Sequence, residues 1–116
     1  MIVPGEGRLL RIFIGEDDRH EGKLLFEWIV REAGKQGMAG ATVIRGMEGF
    51  GAHSRVHRAD MLHLSADLPV VVEIVDKTEK IEDFVQLIDG VIKEGLATIE
   101  KVDIRFYRSG RKKKDI

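Results

Sequence analysis

The chain has 116 residues, enough for one domain with a thin core, and carries 19 Lys plus Arg against 20 Asp plus Glu for a formal net charge of -1. That balance excludes a polybasic nucleic-acid binder and confines any basic site to a local patch. With no cysteine there are no disulfides, thiolate nucleophiles or Cys-ligated zinc, and no apolar run approaches the ~20 residues of a membrane span, so a cytoplasmic, unexported protein is expected.

Leu9 to Ile14 alternates and is closed by Gly15, which predicts a first strand. After the polar turn Glu16 to His20, apolar Leu25, Trp28, Ile29 and Ala33 recur at helical spacing until Gly37, a helix stop. Ala41 to Arg45 is a short second strand, and Val70 to Val75 is a nearly continuous β-branched run, as expected of a strand covered on both faces. Ile81, Phe84, Val85, Ile88 and Ile92 define a second helix with Thr78 as its N-cap and Gly95 as its stop. Val102, Ile104 and Phe106 then alternate as a last strand.

The resulting order, βαββαβ, predicts an α+β, ferredoxin-like fold: a four-stranded antiparallel sheet with both helices on one face. A single domain is expected over 1–116, with a folded core at 8–108, a long arm at 46–68 between strands two and three, and a flexible basic tail at 109–116. Apolar residues on both sides of the third strand leave an open apolar face, which argues for a homo-oligomer.

The stretch Gly40 to Arg58 carries the clearest chemistry. Glycines 46, 49 and 51 are interleaved with Arg45, His53, Arg55, His57 and Arg58. Glycines let backbone N–H groups approach an anion, and the cationic side chains supply the countercharge, so phosphate is the expected guest. Gly49 and Gly51 are expected at positive φ or in close contact with that phosphate. The segment lacks the GK[ST] of a Walker loop and the following helix of a dinucleotide fingerprint, and its composition also suits a solvated connection.

His53 and His57 would share a face if the arm were helical, and a zinc or copper site can be drawn with His63, but no metal is expected. His20 reads as a capping or surface residue and Trp28 as core. No Ser-His-Asp spacing, nucleophile elbow or paired-carboxylate arrangement stands out, so a non-enzymatic role is expected, with no catalytic residue assigned.

Thr42-Val43, Gly49-Phe50-Gly51, Asp67-Leu68-Pro69 and Glu73-Ile74-Val75, with Arg108-Ser109-Gly110 near the end, resemble the nitrogen-regulatory PII signalling proteins. Over Leu9 to about Tyr107, the combination of Gly15-Glu16-Asp17-Asp18-Arg19-His20, Thr42-Val43-Ile44-Arg45-Gly46, Gly49-Phe50-Gly51 and Leu64-Ser65-Ala66-Asp67-Leu68-Pro69 is similar to a family of small PII-like proteins of unknown function. The PII resemblance implies a homotrimer with adenine nucleotides in clefts between subunits and an arm that docks on a partner protein such as a membrane transporter. It places Thr42, Gly49 and Gly51 in the nucleotide pocket and Glu73 and Val75 beside the base, with Phe50 and Gly46 at the same root and Arg108 in the terminal motif.

Departures from the PII pattern narrow the ligand. The GDGK phosphate grip is reduced to Gly95 in Lys93-Glu94-Gly95-Leu96, and Ala52 stands where PII proteins have an arginine. Fewer donors suggest AMP, ADP or a cyclic nucleotide rather than ATP, with Arg45 and the arm's His57 and Arg58 as replacement donors. The expectation is a nucleotide sensor with no other cofactor and no nucleic-acid partner. The alternatives are a metal-binding trimer resembling the copper-tolerance proteins, or a small ferredoxin-like enzyme.

Overall fold

The computed structural model describes residues 4–50, 57–58 and 67–110. In chain order these form β1 (Gly5–Gly15), β2 (Arg19–His20), β3 (Lys23–Leu24), α1 (Leu25–Lys35), β4 (Thr42–Arg45), β5 (Glu48–Gly49), β6 (His57–Arg58), β7 (Pro69–Asp76), α2 (Thr78–Asp89) and β8 (Leu96–Ile104). Apart from the two-residue pairs β2–β3 and β5–β6, the order is βαββαβ, as the periodicity predicts.

Alternation decides the layout. Leu10, Ile12 and Ile14 of β1 and Val70, Val72 and Ile74 of β7 are buried, and their register places Leu10 opposite Ile74 and Ile12 opposite Val72. Leu25, Ile29 and Ala33 of α1 and Ile81, Phe84 and Ile88 of α2 pack on these strands in one cluster, so both helices cover the same sheet face. The sheet is antiparallel throughout, with strand order β4-β7-β1-β8. This is the ferredoxin-like arrangement.

Helix α1 stops where its glycine predicts. Gly37, at φ 71°, follows the last turn, and the Gly37 and Met38 amides donate to the carbonyls of Gly34 and Ala33 at 3.1 and 3.0 Å. Those paired bonds satisfy carbonyls that the helix end would orphan. The N-terminus of α2 differs from expectation: Lys77 occupies the cap position and Thr78 is the first helical residue, without a side-chain cap.

Asp76, 2% exposed, holds that corner instead. Its carboxylate accepts the Lys77 amide at 2.7 Å and the Ala39 amide at 2.9 Å, tying the start of α2 to the loop before β4. A buried carboxylate with two backbone donors is satisfied where an unpaired one would be costly.

The last strand also departs from the sequence expectation. It begins at Leu96 and ends at Ile104, leaving Phe106 outside, and α2 ends at Asp89, well before Gly95. β8 is an edge strand whose side chains are mostly exposed, so its hydrophobic alternation is too weak to mark its start. Among the described residues no helix is long and apolar enough to cross a membrane.

Asp76→Ala should therefore lower the unfolding free energy by about 2–4 kcal/mol, because two charge-assisted bonds are lost together. Urea denaturation with an unchanged m value checks this, and Asp76→Asn, which keeps one acceptor oxygen, should lose less.

Candidate functional site

The arm leaves the sheet after β4 and returns at β7, and one proline organises its root. The Gly46 amide donates to the Pro69 carbonyl at 2.7 Å. A Cβ on Gly46 would lie 2.7 Å from Pro69 Cγ, and one on Gly49 would lie 3.1 Å from the same atom. Neither glycine is among the positive-φ residues. Their requirement is close approach to Pro69, and of the two alternatives expected at Gly49 the left-handed backbone is not the one found.

Beyond Gly46 the chain forms a short ladder, with Glu48 opposite Arg58 and Gly49 opposite His57. His57 thus lies in a strand, and the helical face needed to join it to His53 is absent at that residue. Phe50 is 68% exposed. Gly51, His53 and His63 lie outside the described residues, as do the side chains of His57 and Arg58.

The Asp67-Leu68-Pro69 motif stitches the returning chain to the turn after β1. Asp67 accepts the Asp17 amide at 2.8 Å, the buried Leu68 accepts the Glu16 amide on its carbonyl at 2.8 Å, and Pro69 pairs with Gly15. Arg45, at the other side of the root, grips Glu16 with both edges of its fork: Nε to Oε2 at 2.7 Å and Nη2 to Oε1 at 3.1 Å. The guanidinium expected to wait for phosphate is thus engaged by a carboxylate.

That end of the sheet is acidic. Asp18 accepts the Gly15 amide at 2.9 Å, and a Cβ on Gly15 would lie within 3.0 Å of carboxylate oxygens of both Asp18 and Asp67. Burial pushes the Asp18 carboxyl above its usual 3.8; the Gly15 bond opposes the rise, and the charges of Asp67, Glu94 and Asp17 add to it.

The sheet face turned away from the helices is built in rows. Ile44, Val71, Phe13 and Leu96 stand opposite one another across all four strands, an apolar band with Ile44, Phe13 and Leu96 at 47%, 37% and 57% exposure. The next row is polar: Thr42, Glu73, Arg11 and Thr98. Arg11 donates Nε to Glu73 at 2.9 Å and Nη1 to Glu100 at 2.5 Å. The Glu73 bond, chiefly, holds the guanidinium pKa above its ordinary value; partial burial opposes the rise, and the Glu100 and Glu73 charges support it. Val75 follows on the same face, opposite Leu9.

At the far end of the sheet, a cleft of about 360 Å³ opens between Gly37–Ala39, Asp76, Lys77, Lys80 and Tyr107. Lys80 donates to the Gly37 carbonyl at 2.6 Å and the Tyr107 hydroxyl to the Ala39 carbonyl at 2.5 Å, so the terminal segment straps the entry to β4. Arg108 lies 4.3 Å above the Phe106 ring, a cation–π contact.

The structure thus brings the expected residues together in two groups along β4. Thr42, Glu73 and Val75 share the open face, while Arg45 lies three residues beyond Thr42, ~10 Å away at the rise of a strand, next to Gly46 and Gly49, which abut Pro69. Arg108 sits on the strap nearer the Thr42 end. Sequence reasoning missed Glu16 and Arg11, the partners of Arg45 and Glu73. The one available signal was a charged Arg11 inside the apolar run Leu9 to Ile14. His20 packs edge-on against Trp28 with ring centroids 4.9 Å apart, and Trp28 lies against the core.

Two expectations follow from this geometry. Gly46→Ala should cost about 1–3 kcal/mol by overpacking against the proline ring, and Gly49→Ala less, both measured by chemical denaturation. In a Pro69→Ala background the Gly46→Ala penalty should shrink. Asp18 has a folded-state pKa above its unfolded value, so its contribution to stability is fully present below pH 3.8 and is lost as pH rises through the folded value. Asp18→Asn should therefore raise the melting temperature at pH 7, with that advantage vanishing below pH 3.8.

Comparison with known proteins agrees with this architecture. The solved structure of CPII, a nitrogen regulatory PII-like protein from Thiomonas intermedia K12 bound to ADP, AMP and bicarbonate, superposes with a TM-score of 0.63 at 12% identity, over 90% of this chain and 92% of CPII. CutA1 from Oryza sativa superposes with a TM-score of 0.57 at 6% identity, over 90% of this chain and 85% of CutA1. At these identities the likeness establishes the PII-like fold. In sequence, a UPF0166 protein of Aquifex aeolicus (strain VF5) is 40% identical over 97 residues, 84% of this chain and 91% of the relative. The DUF190 family, described as an uncharacterized ACR, matches residues 7–104. With its PII-like sheet and this match across nearly the whole folded region, the chain belongs to the DUF190 (UPF0166) family.

Proposed function

We propose that this protein is a PII-like regulator that binds an adenine nucleotide of low charge, AMP, ADP or a cyclic form, in clefts between the subunits of a homotrimer, and signals through its 46–68 arm. The observation that carries this reading is the arrangement along the exposed edge strand β4: Thr42, Glu73 and Val75 at one end and Arg45 with Gly46 and Gly49 at the other. In this reading the base lies toward Glu73 on the open face and the phosphate toward Arg45, which stands opposite the buried Val70, so the ligand crosses the β4 edge. The ADP and AMP bound by CPII, which has this fold, support the ligand class.

Electrostatics favour few phosphates. Glu16, Asp17, Asp18 and Asp67 crowd the end of the sheet where Arg45 lies, so each added phosphate charge meets more repulsion. The apolar band Ile44–Val71–Phe13–Leu96 supports assembly, since an exposed row of that breadth loses hydrophobic surface when a second copy covers it. The Arg11–Glu73–Glu100 row beside it would orient the copies. In this reading the arm, rooted between β4 and β7, presents ligand occupancy to a partner protein, and the protein is not an enzyme.

Calorimetric titration of the oligomer with AMP, ADP, ATP and cyclic AMP should give saturable binding. Arg45→Ala should weaken the preferred ligand tenfold to a hundredfold, the equivalent of about 1.5–3 kcal/mol for one charge-assisted contact. Native mass spectrometry should report a trimer. No adenine nucleotide bound below millimolar concentration would defeat the sensor reading, and a clean monomer would remove the intersubunit cleft. Stoichiometric zinc or copper binding instead would favour the metal-binding alternative.

A further inference from the structure

The Arg45–Glu16 pair joins the two places where the chain leaves for the arm and comes back. Arg45 is the last residue of β4, and the next residue, Gly46, donates its amide to Pro69. Glu16 donates its own amide to Leu68, the residue before Pro69. The side-chain pair therefore sits across two backbone bonds that close the arm's root. Each bond depends on where its neighbour in the pair is held.

The geometry of the pair is that of an anion complex. A guanidinium engaged through Nε and one Nη presents the fork that carboxylates and phosphates share. The Arg45 side chain is 60% exposed and that of Glu16 25%, so the fork is open to solvent and to a ligand. Exposed pairs of this kind are weak, and a phosphate carries more charge than the carboxylate it would replace.

Resting on the function proposed above, we infer that Glu16 is a built-in anion that occupies Arg45 until a ligand phosphate displaces it, and that this exchange loosens the arm's root. The displaced Glu16 loses its countercharge beside Asp17, whose amide is bound to Asp67, and near Asp18, whose carboxyl already bonds Gly15. Freed from Arg45, Glu16 no longer anchors the root, which loosens the bonds from its amide to Leu68 and from the Gly46 amide to Pro69. Ligand occupancy at Arg45 is thereby read at both ends of the arm.

Amide hydrogen exchange followed by NMR on the full chain tests this at the Glu16 and Gly46 amides. Saturating AMP, or inorganic phosphate as a probe independent of the nucleotide, should speed exchange at both by about twofold to fivefold, the range an exposed ion pair supports, with interior β1 amides unchanged. Glu16→Gln without ligand should produce the same acceleration and should tighten AMP binding by about twofold to fivefold. In an Arg45→Ala background, Glu16→Gln should change neither quantity. The exchanged pair, Glu16→Arg with Arg45→Glu, should restore slow exchange without restoring AMP affinity. If Glu16→Gln leaves both amides as slow as in the wild type, or weakens AMP binding, the inference is wrong. If neither AMP nor phosphate affects exchange although Glu16→Gln does, displacement by ligand is refuted. If AMP does not bind but phosphate accelerates exchange only when the pair is intact, the nucleotide reading fails and the anion-sensitive clamp stands.

Discussion

Antiparallel pairing of β1 with β7 in a single register, Ile12 opposite Val72, is the constraint from which the other features follow. Side chains alternate across a sheet, so burying Leu10, Ile12 and Ile14 with Val70, Val72 and Ile74 beneath the helices commits Arg11, Phe13, Val71 and Glu73 to the other face. A slip by one residue would turn one of the two strands over and bury Arg11 or Glu73 beneath the helices. The cost of burying those charges makes the register unambiguous, and with it the apolar and ionic rows of the open face.

The same register puts Gly15 beside Pro69 at one end and Arg8 beside Asp76 at the other. The two ends differ in purpose. At the Asp76 end, a buried carboxylate and the Tyr107 strap tie the helices and terminal segment to the entry of β4. At the Pro69 end, close-packed glycines and a solvent-exposed ion pair hold the arm's root. The first end is held by buried contacts and the second by contacts open to solvent.

Hydrogen bonding gives the acidic turn after β1 its shape. Four consecutive residues find partners there: the Gly15 amide on Asp18, the Glu16 amide on Leu68, the Asp17 amide on Asp67, and the Asp18 amide on Gly15. Burial of the Asp18 carboxyl in this turn raises its pKa above the ordinary value, and the neighbouring carboxylates add to the rise. Arg45 is the cation that the arrangement draws in from β4.

Local pattern alone was enough for the presence of the two helices, the central strand β7 and the βαββαβ order, though not for the ends of α2, because each is written in a short-range period that burial enforces. The glycines of the arm's root were legible as a special site, yet their physical reason, contact with Pro69 twenty or more residues away, was not. The start of β8 was hidden because an edge strand needs little hydrophobic alternation. The partners of Arg45 and Glu73 were hidden for a different reason. Glu16 and Arg11 lie 29 and 62 residues away along the chain, and only the order of strands in the sheet brings those charges within hydrogen-bond reach. Periodicity records which side of a strand faces the core, but pairing between distant segments belongs to the tertiary fold, and in this protein that pairing decides which charges find a partner.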